Sequence, residues 1–150
     1  MPLHIQVVTQ EGPIFEDEAV DMVLLPGSEG EMGILPHHAP LLSTLNYGEL
    51  RIRKGGAEES YIVYGGVVQV LPDRVIVLAD TAESTFAVDA EKAEEARHRA
   101  EELMRTGPPE EKVYASEELR RLGIQDNVLR KVRSRPKAMR IKTVEDSEKE

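Results

Sequence analysis

The hydrophobic period of this chain changes once, near residue 86, and that change requires two structurally different parts. Before it, segments such as Leu50-Arg51-Ile52-Arg53 and Val68-Gln69-Val70 alternate apolar and polar residues, the pattern of strands with one wet face. After it, Ala93, Ala96, Ala100 and Leu103 recur three and four residues apart, the apolar stripe of a helix. A two-residue period cannot cover a helix face, nor a 3.6-residue period a strand face. The parts therefore bury their apolar residues by different geometries.

The first part reads as short Val- and Ile-rich strands over Leu3 to Thr9, Ala19 to Pro26, Leu41 to Leu45, Glu49 to Arg53, Tyr61 to Tyr64, Val67 to Leu71 and Arg74 to Ala79. Turn residues separate them at Glu11-Gly12-Pro13, Pro26-Gly27-Ser28, Asn46-Tyr47-Gly48, Lys54-Gly55-Gly56 and Pro72-Asp73. Many short strands at near-regular spacing point to a β-sandwich or a barrel.

In the second part Asp89 is placed to cap a first helix, and Gly107-Pro108-Pro109 ends it. Glu95 with Arg99 and Glu101 with Arg105 supply ion pairs four residues apart. A second helix starts near Glu110. Its apolar phase moves from Ala115, Leu119 and Leu122 to Ile124, Val128 and Val132 across Gly123, which predicts a kink or two shorter segments. An alanine stripe buries little area per residue, so the resulting hairpin is expected to be marginally stable and separable from the body. The division expected is 1–86 for the β domain, 87–135 for the two helices, and 136–150 for a charged, flexible tail. Beyond Leu129 the chain is basic at Arg130, Lys131, Arg133, Arg135, Lys137, Arg140 and Lys142, then acidic from Glu145 to Glu150.

Composition excludes several classes of function. The net charge of -9 resides wholly in residues 1–86, with 4 basic and 13 acidic side chains, while the remainder carries 15 of each. Such a body repels nucleic acid and anionic lipid. The basic tail alone is the one feature that would favour nucleic acid. With no cysteine there is no disulfide or thiolate chemistry. The longest apolar runs are four to five residues, too short to span a bilayer, and the amino terminus lacks the pattern of a signal peptide.

No catalytic signature is present. Gly27-Ser28-Glu29-Gly30-Glu31-Met32-Gly33 has the glycines of a phosphate cradle, but Glu29 and Glu31 repel an anion and no lysine follows. His37 and His38 are adjacent, so on a strand they point to opposite faces and do not chelate one ion. Neither catalytic nor metal residues are assigned. Pro36-His37-His38-Ala39-Pro40 reads instead as a stiff loop suited to protein contacts.

The block from Pro26 to Leu42, PGSEGEMGILPHHAPLL, closely resembles the hallmark loop of the epsilon subunit family of F-type ATP synthases. Tyr64 to Asp80, YGGVVQVLPDRVIVLAD, does so too, in matching order and separation, followed by an alanine-rich helix. The resemblance covers residues 1–105. It implies an α+β chain, with an N-terminal antiparallel β-sandwich of about ten strands followed by a C-terminal helical hairpin.

It also implies a non-catalytic central-stalk subunit that couples ion-driven rotation of the c-ring to ATP synthesis elsewhere. The implied partners are the gamma subunit, the c-ring loops and, through extended C-terminal helices that inhibit hydrolysis, the alpha/beta catalytic ring. Carried over by position, Glu29, Glu31 and His38 face the c-ring, and Leu42 lies against gamma or the ring. Arg130, Lys131 and Arg133 are the inhibitory contacts.

Some members bind regulatory ATP between the helices. Glu83, Asp89, Lys92 and Arg99 match that pattern, with Lys92 where the family motif has arginine, and no other cofactor is implied. The implied location is the cytoplasmic face of a bacterial inner membrane, reached only through the complex. The alternative from another class is a free-standing β-sandwich that binds a small ligand or protein.

Overall fold

The computed structural model describes residues 2–141, so the acidic run from Glu145 lies outside the described residues. Eight strands precede two helices: β1 Leu3–Thr9, β2 Gly12–Val20, β3 Met22–Gly27, β4 Gly30–Ile34, β5 Leu41–Lys54, β6 Ala57–Leu71, β7 Arg74–Ala79, β8 Ala82–Ser84, α1 Ala90–Thr106 and α2 Pro109–Ser134. The chain divides into two units. One holds the residues to Ser84 together with the described residues from Pro136 onward, and the other holds Thr85–Arg135.

In the first unit the strands hydrogen-bond in the order β2-β1-β7-β6-β5-β3-β4, with β8 also on β6. All pairs are antiparallel except β1 with β7. This path folds over on itself. Phe15 of β2 stacks on Tyr61 of β6 with centroids 6.1 Å apart, and Lys54 of β5 reaches Asp17 of β2 at 2.9 Å. The two layers close on one core of Leu3, Ile5, Val7, Val23, Leu25, Leu50, Ile52, Val63, Val68, Val75 and Val77.

Strands β5 and β6 are long enough to serve both layers. The amino half of β5 and carboxyl half of β6 join β7, while the other halves join β3 and β8. Counted once per layer they account for the difference between eight strands and about ten. The bend in β6 falls at Gly65 and Gly66, with φ of 85° and 134°.

Asn46-Tyr47-Gly48 is not a turn but the middle of β5. Asn46 donates its side-chain amide to the Gly27 carbonyl at 3.2 Å, and Tyr47 packs edge-on against Tyr64. Gly48 is needed for close approach, since a Cβ there would lie 2.9 Å from Pro26. Segment 30–34, read from sequence as loop, is strand β4, paired across Gly27 and Gly30.

In the second unit Asp89 caps α1, its Oδ1 accepting from the amides of Glu91 and Lys92. Helix α2 runs through Gly123 as one element, so the expected division into two shorter segments does not occur. A glycine costs a helix interior about 1 kcal/mol relative to alanine, which 26 residues with Pro at the first turn absorb. The buried positions are Ala115, Leu122, Gln125 and Val128, so a polar residue bridges the apparent phase jump. The α1 ion pairs include Glu94–Arg97, Arg97–Glu101 and Glu102–Arg105 rather than the expected ones, and all three are exposed.

Two outcomes follow from these positions. A Cβ on Gly66 would meet the Leu78 carbonyl oxygen at 2.2 Å, whereas one on Gly56 meets nothing within 4 Å. Gly66→Ala is therefore expected to destabilise by at least about 2 kcal/mol in urea unfolding, and Gly56→Ala by much less.

Burial, reinforced by the Glu59 carboxylate and opposed by Arg140, pushes the Tyr61 phenol up from 10.0 to about 12. A raised phenol stabilises the fold fully below pH 10 and loses that contribution as pH climbs to 12. Absorbance titration should show a tyrosine ionising near pH 12, absent in Tyr61→Phe.

Candidate partner-binding site

Glu29 sits at the tip of the β3–β4 hairpin, and Glu31 follows on β4 opposite Pro26, both exposed. The glycines explain the tip: Gly30 has φ of 132°, and a Cβ on Gly27 would lie 2.9 Å from the Gly30 carbonyl oxygen. The hairpin thus carries two carboxylates on an edge strand, where charge also discourages pairing with another sheet.

After β4 the loop is pinned across the layer. The His37 amide donates to Pro72 O at 2.8 Å and the His38 amide to Leu35 O at 3.2 Å. His37 adopts a positive φ of 69°, and the His38 ring Nδ1 lies 2.7 Å from its neighbour's carbonyl, Ala39 O. Leu35 and Leu42, at the two ends of this loop, are 55% and 75% exposed.

Sequence reasoning missed a second feature. Strand register places Val8, Leu78, Val67 and Thr44 in one outward row, and Gln6, Ile76, Gln69 and Leu42 in the next. Val67 and Leu78 are exposed and line an open groove with Val8, Gly66 and Ala79. Leu42 therefore belongs to an apolar outer face shared by β1, β7, β6 and β5. Alternation through Val68-Gln69-Val70 sets Val67 on the side of Gln69, but Val75 to Ala79 is apolar at both parities, so the sequence hides whether Val77 or Leu78 faces out. Only the register reveals it.

The inhibitory candidates lie on the last turns of α2. Arg130 pairs with Asp126 at 3.1 Å, and Lys131 and Arg133 are exposed. Of the nucleotide candidates, Asp89 is engaged as the α1 cap and Glu83 accepts from the Tyr64 hydroxyl. Lys92 and Arg99 are exposed on α1.

Comparison with known proteins accords with this fold. The family "ATP synthase, Delta/Epsilon chain, beta-sandwich domain" matches residues 2–85. The ATP synthase epsilon chain of Dehalococcoides mccartyi is 51% identical over 102 residues, covering 68% of this chain and 72% of that protein. The epsilon chain of Herpetosiphon aurantiacus is 43% identical over 136 residues, 90% of this chain and 99% of its own. The Euglena gracilis mitochondrial ATP synthase structure contains a chain of the same fold, with TM-score 0.74 and 22% identity, over 85% of this chain and 81% of that one.

The fold and its relatives define a non-catalytic subunit of an ATP synthase. The chain belongs to the ATP synthase delta/epsilon family, among its epsilon chains. It is thus a subunit of a membrane-associated complex, and none of its described helices is long and apolar enough to cross a membrane.

Because Glu31 and Leu42 project from the fold, Glu31→Ala and Leu42→Ala should each change the unfolding free energy by less than about 0.5 kcal/mol. Urea denaturation checks this, and it separates later losses of assembly from losses of folding.

Proposed function

We propose that the β-sandwich binds the gamma subunit through the outer face of Leu42, Ile76, Val67, Leu78 and Val8, and meets the c-ring loops with Glu29, Glu31 and His38. The observation that carries this reading is the cross-strand pair Val67 and Leu78, apolar and exposed on an otherwise acidic body. Contiguous exposed apolar residues favour burial against a partner. The carboxylates at the β3–β4 tip suit a polar or basic partner and would fix the rotor's register more than its affinity.

Rotation of gamma, this chain and the ring as one body then couples ion flow to ATP synthesis in the catalytic subunits. The chain works at the cytoplasmic face of a bacterial inner membrane, held there by these partners. The hairpin of α1 and α2, extended along gamma, inhibits hydrolysis, with Arg130, Lys131 and Arg133 against acidic surfaces of the alpha/beta ring. Nucleotide binding by Glu83, Asp89, Lys92 and Arg99 has less support, since Asp89 and Glu83 already have internal partners.

The test is co-purification of the full chain with the gamma subunit of its own organism. The wild type and Glu31→Lys should bind gamma one to one. Val67→Asp with Leu78→Asp should weaken binding at least a hundredfold while leaving the far-ultraviolet circular dichroism unchanged. Glu31→Lys should instead impair attachment to the c-ring. Retention of gamma by the double aspartate variant would reject the assigned face.

A further inference from the structure

The chain returns to the sandwich after α2, and the manner of its return carries a regulatory consequence. Met139 makes a parallel bridge to Ala57 at the start of β6, and the Glu58 amide donates to Met139 O at 2.7 Å. Arg140 then donates through Nε and Nη2 to the two oxygens of Glu59 at 3.2 and 3.1 Å. The Ile141 amide adds a third bond to Oε1 at 3.1 Å. Ile141 itself, 3% exposed, joins the sandwich core. The Glu59 side chain is 3% exposed while that of Arg140 is 57% exposed. A carboxylate so buried requires hydrogen-bonded partners, and all three bonds described for Glu59 come from residues 140 and 141.

We propose that residues 139–141 form a reversible latch, seated on Ala57–Glu59, that must open before the two helices can straighten. The geometry is one of chain lengths. Ser84 pairs with Tyr61 and Met139 with Ala57, so both ends of the helical segment are anchored four residues apart on one strand, about 13 Å. Placed end to end, the 17 residues of α1 and 26 of α2 would span roughly 64 Å. The links 85–89 and 135–138 reach at most about 30 Å in total. With the latch closed, α2 must run back antiparallel to α1.

The latch is built to release. A buried ion pair contributes little net free energy against its desolvation, so Glu59 and Arg140 chiefly specify where the tail seats. Holding falls mainly to the single apolar side chain of Ile141. Arg140 stays open to water on one side, so the pair can rehydrate without unfolding the sandwich. The latch stands on these contacts alone. Its link to hydrolysis rests on the inhibitory role proposed above, and the two are tested separately.

The chain has no native cysteine, so Ala57→Cys with Met139→Cys gives a clean probe. In the full chain this pair should form an intramolecular disulfide under mild oxidation. By hydrogen exchange the Glu58 and Ile141 amides should be protected in the wild type. In Arg140→Ala and in Glu59→Gln they should exchange at least tenfold faster, with the Val7 and Val77 amides unchanged to show an intact core.

Unprotected Glu58 and Ile141 amides in the wild type, or unchanged protection in both variants, would overturn the latch. In the assembled synthase, oxidising the cysteine pair should raise ATP hydrolysis and reduction should reverse it. Equal rates with the disulfide formed would reject inhibition by the straightened hairpin and leave the latch standing on its exchange data.

Discussion

The antiparallel pairing of β5 with β6, in register from Leu41 opposite Val70 to Lys54 opposite Ala57, is the contact on which the rest of this structure depends. The rest of the first unit attaches to one or other strand directly, or, for β4, β1 and β2, through β3 and β7. β3 lies along β5, while β7, β8 and Met139 follow one another along the other side of β6. Because the two strands are long and β6 bends at its paired glycines, one hairpin supplies both layers of the sandwich. The bend also turns the outer face of one layer into the surface bearing Val67 and Leu78. A residue at position 66 with any side chain would contest that bend directly, through the backbone of β7.

A single strand edge thus organises much of the first unit. An open edge on β6 would present unpaired amides and carbonyls to any other strand, a hazard that natural sheets cover. Here β7, β8 and the returning tail cover it in turn. The last of these covers is the weakest, a bridge with an ion pair and one buried isoleucine, so it is the one suited to come and go.

The helical unit follows a different economy. Its buried side chains are Ala100, Ala115, Leu122, Gln125 and Val128, of which only two are sizeable apolar residues, and its ion pairs are surface pairs of small individual worth. Capping by Asp89 and good helix formers keep α1 and α2 helical with little packing between them.

Much was determined by the sequence itself. Alternation in 50–53 and 68–70, the stripe from Ala93 to Leu103, the cap at Asp89 and the Gly-Pro-Pro stop are local signals, each complete within a few residues, and the structure reproduces all of them. The block from Pro26 to Leu42 likewise identified the family, because its residues are contiguous. What the tertiary structure alone decided are matters of partners distant in the chain. Asn46-Tyr47-Gly48 has turn composition, but its atoms are claimed by Gly27, Tyr64 and Pro26, and it becomes strand. Leu78 faces out only because its pairing opposite Val8 and Val67 puts Val77 inward. Glu59 and Arg140, 81 residues apart, read as two more charges in a charged chain until the fold brings them together. Periodicity reports how a segment meets its own neighbours. Which distant segment completes a buried carboxylate or a sheet edge depends on a closure that no local pattern encodes.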